Sequence, residues 1–262
     1  MAKLLEQTRL GHAELFFHVF AHVEGTRALP ASVHSPRYVD WARRQLGDPA
    51  SRTLADDAAQ LASAFPTHAA LASIQLLARL FEDTDALAAV GSRSLSELAP
   101  DEVASASALF FLQRLGKRAE LAFCALTLEL PYFLRLPPPP APPLTLAAEL
   151  DALTPLAPGL AGSSVGCVRA LDRCGRVWGR EIWVGHPSAE VAPSVEHVAW
   201  QAAHEATVAL LAASQGELKE REVEALAIEQ LTLAAHAAGK RSEHTSWLET
   251  TRPDGTARAQ AG

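Results

Sequence analysis

The run Leu136-Pro137-Pro138-Pro139-Pro140-Ala141-Pro142-Pro143 constrains this chain more than any other feature. Proline has no amide hydrogen to donate, and its ring fixes φ. Such a run favours an extended polyproline conformation and can join neither a helix nor a central strand. It divides the sequence into a first region, residues 1–136, a spacer, 137–143, and a second region, 144–250. Residues 251–262 show no apolar period and read as a mobile tail. A polyproline segment serves either as a stiff spacer or as a ligand for an aromatic-lined groove, and the spacer reading is adopted here. Amphipathic Leu/Ala helices are expected on both sides, and neither half has a large aromatic core of its own. The two regions are therefore expected to pack as one compact unit.

Helix signals dominate the first region. Ser35-Pro36 opens a helix that Gly47 closes. Asp48-Pro49 repeats the start signal for a helix ending near Phe65-Pro66. Leu71, Ile74, Leu77 and Leu80/Phe81 stand at helical spacing and predict a helix from Thr67 to about Asp83. Pro100, with Asp101 and Glu102 in the first turn, opens a helix expected to reach about Leu130. Gly116 weakens it and Pro131 ends it.

Beyond the spacer, Thr145–Leu153 predicts a short helix. Val165–Leu171 and Arg176–Val184 are β-rich runs around the turn Asp172–Gly175, which predicts a hairpin. Alternation puts Trp178 and Ile182 on one face and Val177 and Trp183 on the other. Helices follow over Val195–Ser214, Leu218–Ala238 and Ser242–Thr250, with Gly239 as an exit. The expected fold is α+β, predominantly α-helical and bundle-like, with one β-hairpin near residues 165–184.

Composition removes several function classes. The 262 residues carry 23 Lys+Arg against 30 Asp+Glu, a net charge of −7. Arg37, Arg43, Arg44 and Arg52 make only a modest basic patch, so a nucleic-acid partner is not expected. Three cysteines make no disulfide scaffold, and Cys167 and Cys174 read as ordinary thiols. Glu6, Arg9, His12, Glu14, His18 and His22 interrupt the N-terminal apolar stretch, which is unlike a signal peptide. No window reaches the roughly 18 to 20 apolar residues needed to span a membrane. A cytoplasmic protein is expected. The absence of asparagine, with arginine exceeding lysine, points to a GC-rich bacterial coding source.

The ten histidines are the chemical lead. His18 and His22 are four apart, hence one turn apart on one helix face, and Glu14 is one turn further back. Two imidazoles and a carboxylate suit Zn²⁺, Fe²⁺ or Mn²⁺. The pair has the spacing of an H-E-x-x-H helix, but Val19 occupies the general-base position. A second face carries His197, Gln201 and His204, followed by Glu205. There Val208 stands where a zincin helix would place its second histidine. Glu222, Glu224 and His236 on the next helix are further candidates, as is His186. His34, His68 and His244 read as incidental. The same residues also suit ordinary roles at helix boundaries.

No G-x-S-x-G elbow, P-loop or G-x-G-x-x-G fingerprint is present. Two functions remain. In the first, the protein is a metal-dependent enzyme. A divalent transition metal, bound between N-terminal and C-terminal helices by His18, His22, Glu14, His204 and His197, activates water or oxygen, and Glu205 is the general base. In the second, it is a non-catalytic subunit of a bacterial complex. A peptide or protein partner docks at the hairpin edge, with Trp178 and Trp183 as anchors.

Overall fold

A computed structural model describes residues 3–4, 7–25, 36–47, 60–65, 74–138, 145–171, 175–185, 194–214 and 219–251. Most of the proline run, the tail after Thr251, and Cys174, His34, His68 and His186 lie outside these residues. The fold is α+β and mostly helical, with one small four-stranded sheet. Among the described residues, no helix is long and apolar enough to cross a membrane.

The chain divides into two compact units. One, here the helical unit, comprises Glu6–Pro139 with Val168–Leu171. The other, the mixed unit, comprises Met1–Leu5, Pro140–Cys167 and Asp172–Gly262. The bound between Pro139 and Pro140 falls inside the proline run.

In the helical unit, α1 (Gln7–Gly25) carries side chains buried on every face from His12 to Val23. A helix without a solvent stripe belongs at the centre of its bundle. It packs against α2 (Pro36–Leu46), a 3₁₀ turn at Gln75–Arg79, α3 (Thr84–Val90) and α5 (Lys117–Phe133). Gly47, at φ 77°, ends α2 as its position predicts.

Two helices differ from their sequence expectations. The described part of the 67–83 stretch forms only the 3₁₀ turn, and Asp83 starts a helix instead of ending one. Its carboxylate accepts from the Ala86 amide at 2.8 Å, which makes it the N-cap of α3. The helix expected from Pro100 is three pieces. Pro100–Glu102 is a single 3₁₀ turn, α4 (Ala106–Leu115) begins behind the Ser105 cap, and Gly116, at φ 62°, separates α4 from α5. A left-handed glycine cannot remain inside an α-helix, so Gly116 acts as a break. Pro131 does not end α5, which continues to Phe133. Its missing N–H costs the helix its usual bond to the Thr127 carbonyl, and the helix stops two residues later.

The mixed unit holds α6 (Leu146–Leu153), α7 (Val195–Ser214), α8 (Glu220–Ala237) and α9 (Arg241–Thr251). Its strands are β1 (Lys3–Leu4), β2 (Ser164–Val168), β3 (Gly175–Trp178) and β4 (Glu181–Gly185), in the sheet order β1-β2-β4-β3. β1 is parallel to β2, and β3 is antiparallel to β4. The hairpin is therefore β3–β4, formed within the run expected to be one strand. Gly179, at φ 62°, takes the first central position of a two-residue turn, where a type II′ geometry demands glycine.

That turn reverses the expected faces. Val177 pairs with Ile182 and Arg176 with Trp183, so Trp178 and Trp183 share one face, with ring centroids 5.9 Å apart. Val177 and Ile182 share the other, packed with Val165, Val184, Trp200 and Leu150 in the core of the unit. The turn Pro158–Leu160 lies tight against α7. A methyl group at Gly159 would stand 2.5 Å from the Ala206 carbonyl oxygen and 3.2 Å from its Cβ. Gly159→Ala is therefore expected to destabilise the protein by about 1–3 kcal/mol, read as a lowered urea midpoint at unchanged m-value. An unaltered midpoint would show that the turn is not held against the helix.

Candidate functional site

The first candidate face lies on α1. His18 is fully buried, and both ring nitrogens are engaged. Nδ1 lies 2.9 Å from the Tyr38 hydroxyl and Nε2 lies 3.1 Å from Glu129 Oε1. A carboxylate can only accept, so Nε2–H donates to Glu129 and Nδ1 accepts from the Tyr38 O–H. Burial, reinforced by the Arg169 charge, lowers the His18 pKa to about 3. Burial first, and the Glu14 charge second, hold the Tyr38 phenol well above its ordinary value. The phenol therefore stays a donor and the imidazole stays neutral, so the chain Tyr38–His18–Glu129 has one direction.

Glu14 is engaged elsewhere. Arg169 Nε donates to its Oε1 at 2.6 Å, and Nη2 donates to Oε2 at 3.4 Å. Arg169 Nη1 donates to the Pro137 carbonyl at 2.8 Å, and its guanidinium lies 4.8 Å from the Trp41 ring centroid. Both members of the ion pair are at most 2% exposed. One arginine thus ties the 168–171 turn, the end of α5's following segment, α1 and α2 together. His22 Nδ1–H donates to the His18 carbonyl at 2.9 Å, with the two rings 4.8 Å apart. Its pKa falls to about 3 through burial and the neighbouring His18. Its buried Nε2 has no hydrogen-bond partner among the described residues. His12 lies on the same helix, donates through Nε2 to the Leu77 carbonyl at 2.7 Å and meets Phe81 edge-on. Burial lowers its pKa to about 4.

Helical spacing puts Glu14, His18 and His22 on one face of α1, and they share it. Each, however, is held by a different protein group. To coordinate a metal, His18 would have to leave Tyr38 or Glu129, and Glu14 would have to leave Arg169. Sequence reasoning missed Tyr38, Trp41, Glu129, Arg169 and His12. Two of them had a signal: Glu129 is an isolated acid in the apolar run Ala122–Leu130, and Arg169 is a charge inside a β-rich run.

The second face lies on α7, in the mixed unit. His197, Gln201 and His204 are all buried, as their common face predicts. His204 Nε2 lies 3.1 Å from Glu224 Oε1 on α8. Glu222 and His236 are exposed. Glu205 Oε1 accepts from the Gly175 amide at 2.8 Å and from Gln201 Nε2 at 2.7 Å. The carboxylate expected as a general base thus caps the first residue of β3. His197 lines a shallow pocket of about 70 Å³ with Ser194, Glu196, Glu243 and Trp247.

His244 is not incidental. It is buried between Trp200 and Trp247, with centroids at 4.9 and 5.5 Å, and burial lowers its pKa to about 4. Trp247 also meets His204, at 5.4 Å.

His18 and His22 belong to the helical unit, and His197 and His204 to the mixed unit. Among the described residues, no group of three or more His, Cys, Asp or Glu side chains is placed to hold a metal ion. Trp183, expected as an anchor at the hairpin edge, lies on the interior strand β4 and is 2% exposed, whereas Trp178 on the edge strand β3 is half-buried. No family model, curated protein or solved structure matches the chain.

Proposed function

We propose that this protein is a non-catalytic, partner-binding subunit of a cytoplasmic bacterial complex. One observation carries the reading: the side chains best suited to chemistry are committed to protein partners, and two of them, Glu14 and His18, are also buried. Glu14 is bonded to Arg169, His18 to Tyr38 and Glu129, and Glu205 to Gly175 and Gln201. A general base must reach the proton it abstracts, and these groups reach only the protein.

The sheet edge supplies a contact for such a partner. β3 is the last strand of the sheet. Trp178 and Glu181 close the two-residue turn, so alternation of the ladder turns the Val177 N–H and C=O away from β4. The Gly175 amide on the same edge is already taken by Glu205. A short extended segment pairing at Val177, beside the half-buried Trp178, would add a strand.

Val177→Pro removes the outward N–H while leaving the β4 ladder intact. The variant is expected to lose any partner retained by wild-type protein in its source cells. A partner retained equally by both would exclude the sheet edge. The competing reading is a metal-dependent enzyme using the α1 face. It requires stoichiometric Zn, Fe or Mn in untagged protein, and that metal must fall in His18→Ala and His22→Ala. Such a result would replace the binding reading.

A further inference from the structure

The helical unit carries a second surface whose chemistry differs from that of the sheet edge. The chain has nine phenylalanines. Seven are buried, at most 8% exposed, whereas Phe110 is 62% and Phe111 45% exposed. The two exceptions are neighbours on α4. Phe111 borders a depression of about 330 Å³, enclosed with Leu76, Arg79, Ser105, Ser107 and Ala108. That volume accepts a bulky apolar side chain, and two of its lining residues, Ser105 and Ser107, have hydroxyls 3.2 Å apart.

Charge supplies the second, independent observation. Arg114 lies one turn beyond Phe110, its guanidinium 5.6 Å from the ring centroid. Lys117 and Arg118 follow directly after the Gly116 break. All three cations are exposed, and none has an ion-pair partner among the described residues. In a chain with a net charge of −7, these three exposed cations fall within five residues, and the nearest acid along the helix, Glu120, is engaged by the Leu95 amide at 2.9 Å. Arginine and aromatic side chains are also the residue types that anchor interfaces.

We propose that the Phe110–Phe111 face, its adjoining depression and the Arg114–Lys117–Arg118 corner dock an acidic segment of a partner protein. That segment inserts one bulky apolar side chain beside Phe111 and sets its carboxylates against the cations. A depression of this size beside Phe111 favours an inserted peptide side chain over an anionic membrane, which would meet a convex apolar face. The proposal is independent of the sheet edge and holds whether or not β3 accepts a strand.

The test is selection of random peptides of about twelve residues, displayed on phage, against the full-length protein at low salt. Acidic sequences around a tryptophan, phenylalanine or leucine are expected. Their synthetic forms should lose affinity about tenfold or more toward Arg114→Glu/Lys117→Glu/Arg118→Glu, and likewise toward Phe110→Ser/Phe111→Ser. Affinity should also fall as salt rises. These are exposed positions, and an unchanged melting temperature with unchanged far-ultraviolet circular dichroism will verify that each variant is folded. Val177→Pro should bind the peptides like wild type, which separates this surface from the sheet edge. Non-acidic selected sequences, or equal binding by the folded charge-reversal variant, would overturn the proposal. So would patch-dependent binding to phosphatidylserine vesicles without peptide binding.

Discussion

Arg169→Met is expected to destabilise the protein by about 3–5 kcal/mol, a large share of the roughly 5–15 kcal/mol that holds a domain folded. The substitution leaves the Glu14 carboxylate buried with its main counter-charge gone. It also strands the Pro137 carbonyl, which accepts from Arg169 Nη1, and removes the cation from the Trp41 face. An uncompensated buried charge costs more than the pair itself contributes. The double variant Glu14→Leu/Arg169→Met should therefore regain most of the loss, since two apolar side chains replace the pair at similar volume. Urea unfolding followed by circular dichroism measures both. If the single and double variants are equally unstable, packing of the arginine stem decides the effect, and the ion pair is incidental.

Acid lability is the second large effect. His12, His18, His22 and His244 have pKa values lowered from 6.5 to about 4, 3, 3 and 4, each chiefly by burial. Above pH 6.5 these groups are neutral whether the chain is folded or not, and the stabilisation is fully present. Below it, the unfolded chain binds protons that the folded one refuses, so stability falls until the folded values are reached. Each group removes about 1.4 kcal/mol per pH unit inside that window. All four shifts have the same sign, so their effects reinforce one another as the pH falls below 6.5. At His18, burial and the Arg169 charge both oppose protonation. Urea midpoints at successive pH values should drop steeply below 6.5, and His22→Leu should flatten the slope. A midpoint constant from neutrality to pH 5 would mean that these imidazoles are reached by water in the folded protein.

Local chemistry made most elements readable. Pro36 and Gly47 bracket α2, and Gly239 follows α8. The first-turn and apolar spacing of α7 give its bounds at Val195 and Ser214. The errors came where one residue type serves two purposes. Asp83 could end one helix or cap the next. Gly116 could weaken a helix or break it. Gly179 looked like a passenger in a strand until its positive φ turned the chain and moved Trp178 and Trp183 to one face. Each choice depended on what the neighbouring elements could pack against, because propensities differ by far less than the burial of a side chain.

The α1 face shows the same limit. Its periodicity determined that Glu14, His18 and His22 would lie together, because helical geometry follows from the local chain alone. It did not determine their partners. Glu129 comes to His18 from 111 residues away, and Arg169 to Glu14 from 155 residues away. A buried polar group must be satisfied somewhere, but only the packed fold brings a particular distant donor within reach. The sequence by itself therefore determined which side chains would need partners. The tertiary structure decided that protein groups would fill that need, because closing such long loops is worthwhile only when many apolar contacts form at the same time.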